Sequence, residues 1–579
     1  MFLFAASSSG RADNWELSMT RRRMALGVHI GHDRGAAVVV DGALAGALAQ
    51  ERIDRRKHSP SPDLPYGAID ALLKYLRITP EELRSVTFSY TNVRIAEILP
   101  QLEAEFREHY ELPRIAVLGV SHHDSHALAT FYTSPFEDAL VLIADGSGDI
   151  VDDRLEAESL YRATRARGLT VVARRLQDFP LTYPTRRNFF NFAYMHELDR
   201  AKEVSLGRKY EQLTYLLGFA HGEAGKTMGL ASYGVPIVHR RPSVNGLGFS
   251  LKIPDVIDEL DAVLAASAIP HHRFYRERRA DVAATAQAVV EEVVIDVLNA
   301  VNPTGATKNL CLGGGLFLNC LLNHRILERT RFERIHVVPA AGDDGQAIGA
   351  AYHGYVETVG PPAGGGVRSP YLGLSYRRSD ILRALRHFRL QYEELDDATL
   401  IDRVATAIAD GKVVGCFRGR SESGPRALCH RSILADPRPK RMRDHLNRRV
   451  KYREEFRPFA PVVTAEDQLR YFDLLQDSPY MLLAANVRAR YRRKLGAITH
   501  VDGTARVQAV SSDDEPFVHA LLRRFENLTG FPVLLNTSFN LSDEPIVESP
   551  HDAVSTFLRS RIDHLFMERF LVTNKQPLR

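Results

Sequence analysis

The sequence predicts an α/β protein built on a strand, loop, strand and hairpin unit that occurs twice, followed by a second α/β domain. Three observations carry this expectation. Residues 24–30 form an apolar run with β-branched members, residues 31–35 (GHDRG) a polar turn, and residues 36–40 a second strand closed by the hairpin dipeptide Asp41-Gly42, with a third strand over 43–50. The same order recurs further on: strand 139–144, loop 145–149, a short strand near Ile150, a turn at Asp152-Asp153 and a strand near 159–163. Finally, GPPAGGG at 360–366 is a Pro/Gly linker after which the composition shifts. The expected organisation is an extension over 1–23, one domain over 24–359, the linker, and a second domain over 367–579.

Within the second repeat lies SHHDSHALATFYTSPFEDALVLIADGSGD, residues 121–149. A helix continuing over 125–132 places His122 and His126 one turn apart, about 6 Å along the axis and on one face, a spacing that can clamp one metal ion. Imidazole nitrogen suits zinc, iron, copper or nickel. The strand that follows delivers Asp145 at its carboxyl end, where α/β sheets usually bind ligands, with Gly146 beside it. Residues 309–312 then predict a strand, Gly313-Gly314-Gly315 a tight turn, and 316–327 a helix whose amino end can sit against a phosphate. A strand over 335–339 runs into GDDGQAIGAAY, where Asp343 and Asp344 precede a helix from Gln346; Asp343 either caps that helix or completes the histidine site. Three such loops in a duplicated frame resemble the actin/sugar-kinase/heat-shock-ATPase (ASKHA) fold, in which paired loops face each other across a phosphate-binding cleft.

Length and composition narrow the classes. At 579 residues the chain exceeds one ordinary core, and 45% hydrophobic with 25% charged residues is the balance of a globular protein. No run approaches ~18 apolar residues, so no membrane span is expected. The opening MFLFAASSSG is apolar for only a few residues and its arginines follow rather than precede it, which does not read as a secretory signal; residues 1–23 are expected to be disordered, with Met19 or Met24 as the start of translation. Cys311, Cys320, Cys416 and Cys429 are few and far apart, which speaks against a disulfide framework or a thiolate zinc site and for a reducing cytoplasm. A net charge of +4 gives no global field to recommend nucleic acid.

The charge is local instead. Residues 418–457 hold 13 Arg/Lys against 5 Asp/Glu, an excess of 13 − 5 = +8, set in apolar, Gly- and Pro-punctuated text rather than in one solvated block. Guanidinium groups on packed elements suit a bound nucleotide or acyl phosphate. Arg418, Arg420, Arg426, Arg431, Lys451 and Arg457 are the candidates, whereas Arg438, Lys440, Arg441, Arg443 and Arg448 read as a solvated helix face. A strand over 533–535 ends in Asn536-Thr537-Ser538-Phe539-Asn540, whose amides and hydroxyls can hold a phosphate or a carbamoyl group.

The ordered blocks HIGHDRGAAVVVDG, QERIDRRKH, HHDSHALATFYTSPF, SLGRKYEQLT, GEAGKTMGLASYG, LGGGLFLNCLLN, GDDGQAIGAAY, GRSESGPRALCHRSILADP, KYREEFRPFAP and LLNTSFNLSDEPIV closely resemble the O-carbamoyltransferases of antibiotic and nodulation-factor biosynthesis, the NodU/CmcH-like family. Cys429 stands where that family usually has Gly. The resemblance implies a TsaD-like amino-terminal domain and a YrdC-like carboxyl-terminal one. Carbamoyl phosphate and ATP, with Mg(II), would give carbamoyl-adenylate in the second domain, and a hydroxyl of a small-molecule acceptor would take the carbamoyl group in the first. It further implies that His122, His126 and Asp343 hold a metal, typically Fe(II), with Asp145 as a direct or water-mediated fourth ligand. Gly146, Gly313, Gly314, Gly315 and Asn319 would line the adenosine site, with Glu223 and Lys226 near it. His32 is the candidate base for the acceptor proton, and Lys57 orients the acceptor or a carbonyl oxygen. Arg426, Lys451, Arg457 and Ser538 would surround carbamoyl phosphate and the ATP phosphates, supported by Arg418, Arg506 and Asn536.

Two rival readings stand beside this one: tRNA threonylcarbamoyladenosine synthesis, and a sugar kinase of the actin-like class. No nucleic acid and no membrane are expected as partners, and a homodimer is left open. The aromatic run RRNFFNFAY at 186–194 carries no acid, which favours a neutral, partly apolar acceptor such as a polyketide, macrolide or glycoside.

Overall fold

A computed structural model describes residues 22–91, 93–177, 204–220, 222–238, 243–245, 250–252, 256–267, 270–362, 364, 366–367 and 369–573. The expected extension up to residue 21 and the RRNFFNFAY run lie outside the described residues. The fold class is α/β, as the alternation of runs predicts.

The first sheet contains β1 (Met24–His29), β2 (Gly35–Val40), β3 (Ala43–Ala49), β4 (Ser85–Ser89) and β5 (Ala116–Gly119) in the order β3-β2-β1-β4-β5. Strands β1, β2 and β3 pair antiparallel, whereas β4 and β5 continue parallel to β1. The second sheet uses β6 (Asp138–Ala144), β7 (Ile150–Val151), β8 (Arg154–Thr164), β9 (Gly168–Gln177), β10 (Asn309–Gly313) and β11 (Arg334–Val337). There β6, β8 and β9 pair antiparallel while β10 and β11 run parallel to β6, so β9-β8-β6-β10-β11 repeats the first order strand for strand. The duplication is therefore real, but its register differs from the sequence reading. The counterpart of β2 is the eleven-residue β8, not the short strand near Ile150, because β7 pairs only with β8 and never reaches β6. The two hairpin turns still share their chemistry: Asp41 and Gly42 have φ of 49° and 86°, and Asp152 and Asp153 have 49° and 61°, the left-handed pair that matches strand twist.

Two helices fill the space between the sheets. Every residue of β1 is buried because helix Gln346–Val359 covers one of its faces, which explains an apolar run without alternation. The approach is backbone to backbone: a Cβ on Gly27 would lie 2.1 Å from the Ala347 carbonyl oxygen, and one on Gly349 would lie 1.8 Å from the Ser125 carbonyl oxygen of helix His122–Thr133. The helix expected over 316–327 is broken in two. A short 3₁₀ turn, Gly315–Leu318, precedes helix Cys320–Arg329, whose first turn is capped by the Asn319 side chain accepting from Leu322 N–H.

After residue 360 the chain builds a third, eight-stranded mixed sheet from Glu393–Glu394 to Phe570–Val572, in which Val414–Phe417, Arg431–Ala435, Ala460–Thr464 and Val533–Ser538 are central. The last of these is longer than its apolar run suggests, so Asn536 and Ser538 sit within the strand. Helices Asp397–Ala409 and Pro516–Thr529 pack on one face, and the other shares a continuous apolar core with the first part of the chain, joining Leu310 and Val337 to Leu483 and Val463. Polar staples cross the same seam. Arg55 donates to the Ile546 and Pro545 carbonyls, Arg52 to Gly424, and the Gln476 amide pairs with both backbone groups of Ile335 on the edge of β11. Among the described residues no helix is long and apolar enough to cross a membrane, and all four cysteines are buried and free.

Candidate functional site

His122 begins its helix because Ser121 caps it, accepting from Asp124 N–H, and because the Asp149 carboxylate accepts from the His122 N–H. One turn on, His126 presents its ring to the same point. Asp145 arrives at the carboxyl end of β6, and Asp343 stands in the turn before helix Gln346–Val359. Each of the four residues offers one ligand atom within 4.8 Å of all the others. His122 Nε2 lies 3.1 Å from Asp145 Oδ2 and 3.3 Å from Asp343 Oδ1, and His126 Nε2 lies 3.3 Å from both.

Two imidazoles and two carboxylates at this spacing fit one divalent transition ion; no thiolate is present to select a softer one. The electrostatics agree. Burial alone would lower His122, but the carboxylates of Asp343 and Asp145 raise it well above its ordinary value. Burial likewise works against ionised Asp343, yet the surrounding imidazoles hold it well below the usual carboxylate range. A buried site that keeps its carboxylates ionised around histidines is prepared for positive charge.

His32 joins from the turn after β1. Its Nε2 lies 3.1 Å from Asp343 Oδ2 and its Nδ1 3.1 Å from Asp33 Oδ2, while His58 Nδ1 holds the other Asp33 oxygen at 2.7 Å. Burial pulls His32 down, but Asp343 and Asp33 outweigh it and raise the ring to about 9. Beside it, Asp344 is pushed up to about 8 by burial and by the charges of Asp33, Glu51 and Asp343.

The glycine turn closes against the same cluster. Gly314 has φ of 97° and ψ of 155°, a region open in practice only to glycine, and a Cβ there would lie 2.3 Å from the Ala144 carbonyl oxygen. Gly313 ends β10 against Ile143 and His126, and Gly315 N–H donates to Asp145 Oδ1 at 3.0 Å. Gly146, whose carbonyl accepts from Ser205 Oγ, is open on its Cα side: a Cβ there would meet the buried Arg208 guanidinium at 4.0 Å. Asn319, besides its cap, exchanges amide hydrogen bonds with Gln287.

Across the seam lies a second constellation. Arg426 donates to the Leu318 carbonyl at 3.4 Å, and its Nε is buried without a partner; so is Nε of Arg506, which makes no hydrogen bond or ion pair with any described residue. Burial, then the charge of Arg506, lowers Arg426 to about 9. Arg453 falls to about 9 through burial and the charges of Arg457 and Arg506, and Lys451 drops well below its ordinary value through burial, Arg453, Arg457 and Lys57. Lys451 is 4% exposed, and its ammonium donates to Ser538 and Asn540. Glu454 bridges Lys226 at 2.8 Å and Arg457 at 3.8 Å, Glu223 holds Lys226 from the other side at 2.5 Å, and Asp344 and Glu544 act more weakly on Arg426 and Lys451. Cations that depress one another across a seam, with few acids to offset them, are an arrangement that a bound anion would relieve.

The other candidates stand elsewhere. Arg418 is engaged by Asp397 at 3.1 Å and stacks 3.9 Å above Phe517. Arg431 and Arg420 spend their guanidiniums on backbone carbonyls, Arg420 tying Gly373 and Leu372 to Ala45. Asn536 is buried against Gln508 and the Ala427 carbonyl. Lys57 is close enough to both His58 and Lys451 for its charge to lower each of them. The reading of the sequence passed over Arg208 and Arg453, although both lie within the blocks SLGRKYEQLT and KYREEFR.

A carbamoyltransferase amino-terminal family model matches residues 69–352 and a carbamoyltransferase carboxyl-terminal model matches 405–574. An uncharacterised Synechocystis protein is 33% identical over 95% of this chain and 96% of its own length. The nodulation protein NolNO of Sinorhizobium fredii is 34% identical over 94% of this chain and 79% of its own length. A 3'-hydroxymethylcephem-O-carbamoyltransferase of Amycolatopsis lactamdurans is 36% identical over 45% of this chain and 48% of its own length. Matched by both family models and by relatives that run nearly its whole length, the chain belongs to the carbamoyltransferase family.

Proposed function

We propose that the protein is an ATP-dependent O-carbamoyltransferase acting on a hydroxyl of a natural product. In the carboxyl-terminal, YrdC-like part, carbamoyl phosphate loses phosphate to water to give carbamate, whose oxygen attacks the α-phosphorus of ATP; carbamoyl-adenylate forms and Mg(II)-pyrophosphate leaves. In the amino-terminal, TsaD-like part, the acceptor oxygen attacks the carbamoyl carbon, its proton goes to a base, and AMP leaves. The observation that carries this reading is the acid-poor set Arg426, Lys451, Arg453, Arg457 and Arg506, which adjoins the glycine turn and the Asp343 cluster along one seam. A triphosphate and an acyl phosphate brought together need that many cations.

His122, His126, Asp145 and Asp343 would hold a divalent ion, Fe(II) on the family resemblance, which when bound polarises the carbamoyl carbonyl or an adenylate oxygen. The open face at Gly146 leaves backbone room for the adenylate phosphate. His32 orients the acceptor hydroxyl and takes its proton. Raised to about 9 by Asp343 and Asp33, it becomes a neutral acceptor at pH 7 only when positive charge offsets the Asp343 carboxylate.

For the acceptor, the acid-free 186–194 run supports a polyketide, macrolide or glycoside. A second reading, an acceptor bearing an amine, is favoured by the carboxylates Asp33, Glu51 and Asp344 gathered beside His32. The deciding assay supplies carbamoyl phosphate and ATP with a panel of neutral and amino-sugar acceptors and follows AMP release and carbamoylated product by mass. AMP release that requires threonine and tRNA, or transfer of the γ-phosphate to a sugar, would overturn the proposal.

A further inference from the structure

All four residues of the His/Asp cluster come from the second sheet or from the helices beside it. One hydroxyl from the first sheet reaches them. Thr91, two residues past the end of β4 and 5% exposed, places Oγ1 3.1 Å from His122 Nδ1 and 3.4 Å from Asp343 Oδ2. The two contacts have a definite polarity. His122 points Nε2 at Asp145 and Asp343, so for that nitrogen to offer a lone pair to an ion, the ring proton must sit on Nδ1. Nδ1–H then donates to Thr91 Oγ1, and the Thr91 hydroxyl proton is free to donate to Asp343 Oδ2. That leaves Asp343 Oδ1, the oxygen facing both imidazoles, for the ion. The rest of His122 is already fixed: its N–H donates to Asp149 and its carbonyl accepts from the Gln346 amide at 3.0 Å. The ring tautomer is what remains to be set on His122, and the Thr91 hydroxyl sets it; on Asp343 the same hydroxyl shares Oδ2 with His32 Nε2, which stands at 3.1 Å.

We propose that Thr91 is a positioning residue for the metal site, its hydroxyl, supplied by the opposite half of the duplicated fold, selecting the Nδ1–H tautomer of His122 and sharing with His32 the oxygen of Asp343 that faces away from the imidazoles. The inference rests on the metal-binding reading of the cluster. Partners of this kind typically govern about 10- to 100-fold in metal affinity.

The test strips the full-length protein of metal and titrates Co(II), following its visible absorption and competition with a chelator. Wild type is compared with Thr91→Val and Thr91→Ala, which lack the hydroxyl, and Thr91→Ser, which keeps it. Both hydroxyl-free variants should bind Co(II) roughly 10- to 100-fold more weakly with an altered ligand-field spectrum, Thr91→Ser should restore both, and the metal-free melting temperatures should agree. Unchanged affinity in Thr91→Val and Thr91→Ala, or collapse of the fold in both, overturns the role of Thr91 alone. Failure of the wild type to bind Co(II) overturns the metal reading and this inference with it.

Discussion

Arg506→Met should make the ligand-free protein more stable and the liganded one worse. Arg506 has no hydrogen-bonding or ionic partner among the described residues, its Nε is buried, and it is the largest charged influence depressing Arg426. Arg426 is held at about 9 rather than 12.5, and each unit corresponds to about 1.4 kcal/mol. Burial is the first cause, so the share owed to Arg506 is on the order of 1 kcal/mol. Replacing its charge while keeping an apolar stem should return that amount, an upward melting shift of about 1 °C without ligand. The same change removes charge-assisted hydrogen bonds of about 1.5–3 kcal/mol to a phosphate, so ATP and pyrophosphate should bind roughly 10- to 100-fold more weakly by calorimetry. If the variant melts lower than wild type and binds ATP equally well, the guanidinium is structural and the anion site has been misread.

His122→Ala should abolish carbamoylation of an acceptor while leaving pyrophosphate release from carbamoyl phosphate and ATP largely intact; loss of both activities together would refute the division of labour. Gly314→Ala should cost about 3 kcal/mol or more in urea unfolding, since φ of 97° and the Ala144 carbonyl forbid a Cβ, whereas Gly146→Ala, with open space around it, should be tolerated. Equal stability of the two variants would show that the turn can relax. His336 is buried beside Thr133, and burial followed by the charge of Arg165 lowers it to about 3. Its unfolded form takes up a proton near pH 6.5 and its folded form does not, so this contribution to stability is complete above 6.5 and lost as pH falls towards 3. His336→Leu should flatten stability against pH in that window by up to about 1.4 kcal/mol per unit, and an unchanged slope would refute the assignment.

The parts of the fold that repeat a local pattern were legible in the chain. Buried strands such as β1 and β6 announce themselves as unbroken apolar runs, and His122 and His126 are tied by helical spacing alone. What the chain hides is pairing partner and direction. Nothing local says that β8 rather than β7 lies against β6, since both follow a polar turn, and only the sheet decides. Arginines mislead for a related reason. Arg431 and Arg426 sit in the same Gly- and Pro-rich text, yet one faces backbone carbonyls and the other a seam closed by the first domain. The partners that distinguish them, Gly419 and Leu374 for Arg431 and Leu318 for Arg426, are remote in sequence for all but the first.

The contact of Gly349 with the Ser125 backbone makes one rigid piece of two helices. With no side chain between them, neither can slide or rotate without a main-chain collision. His122 and His126 ride on one and Asp343 leads into the other, so three of the four ligand atoms share a single solid body and hold their spacing whether or not an ion is present. The spacing of the cluster is thereby fixed by main-chain contact between the two helices rather than by the loops around it.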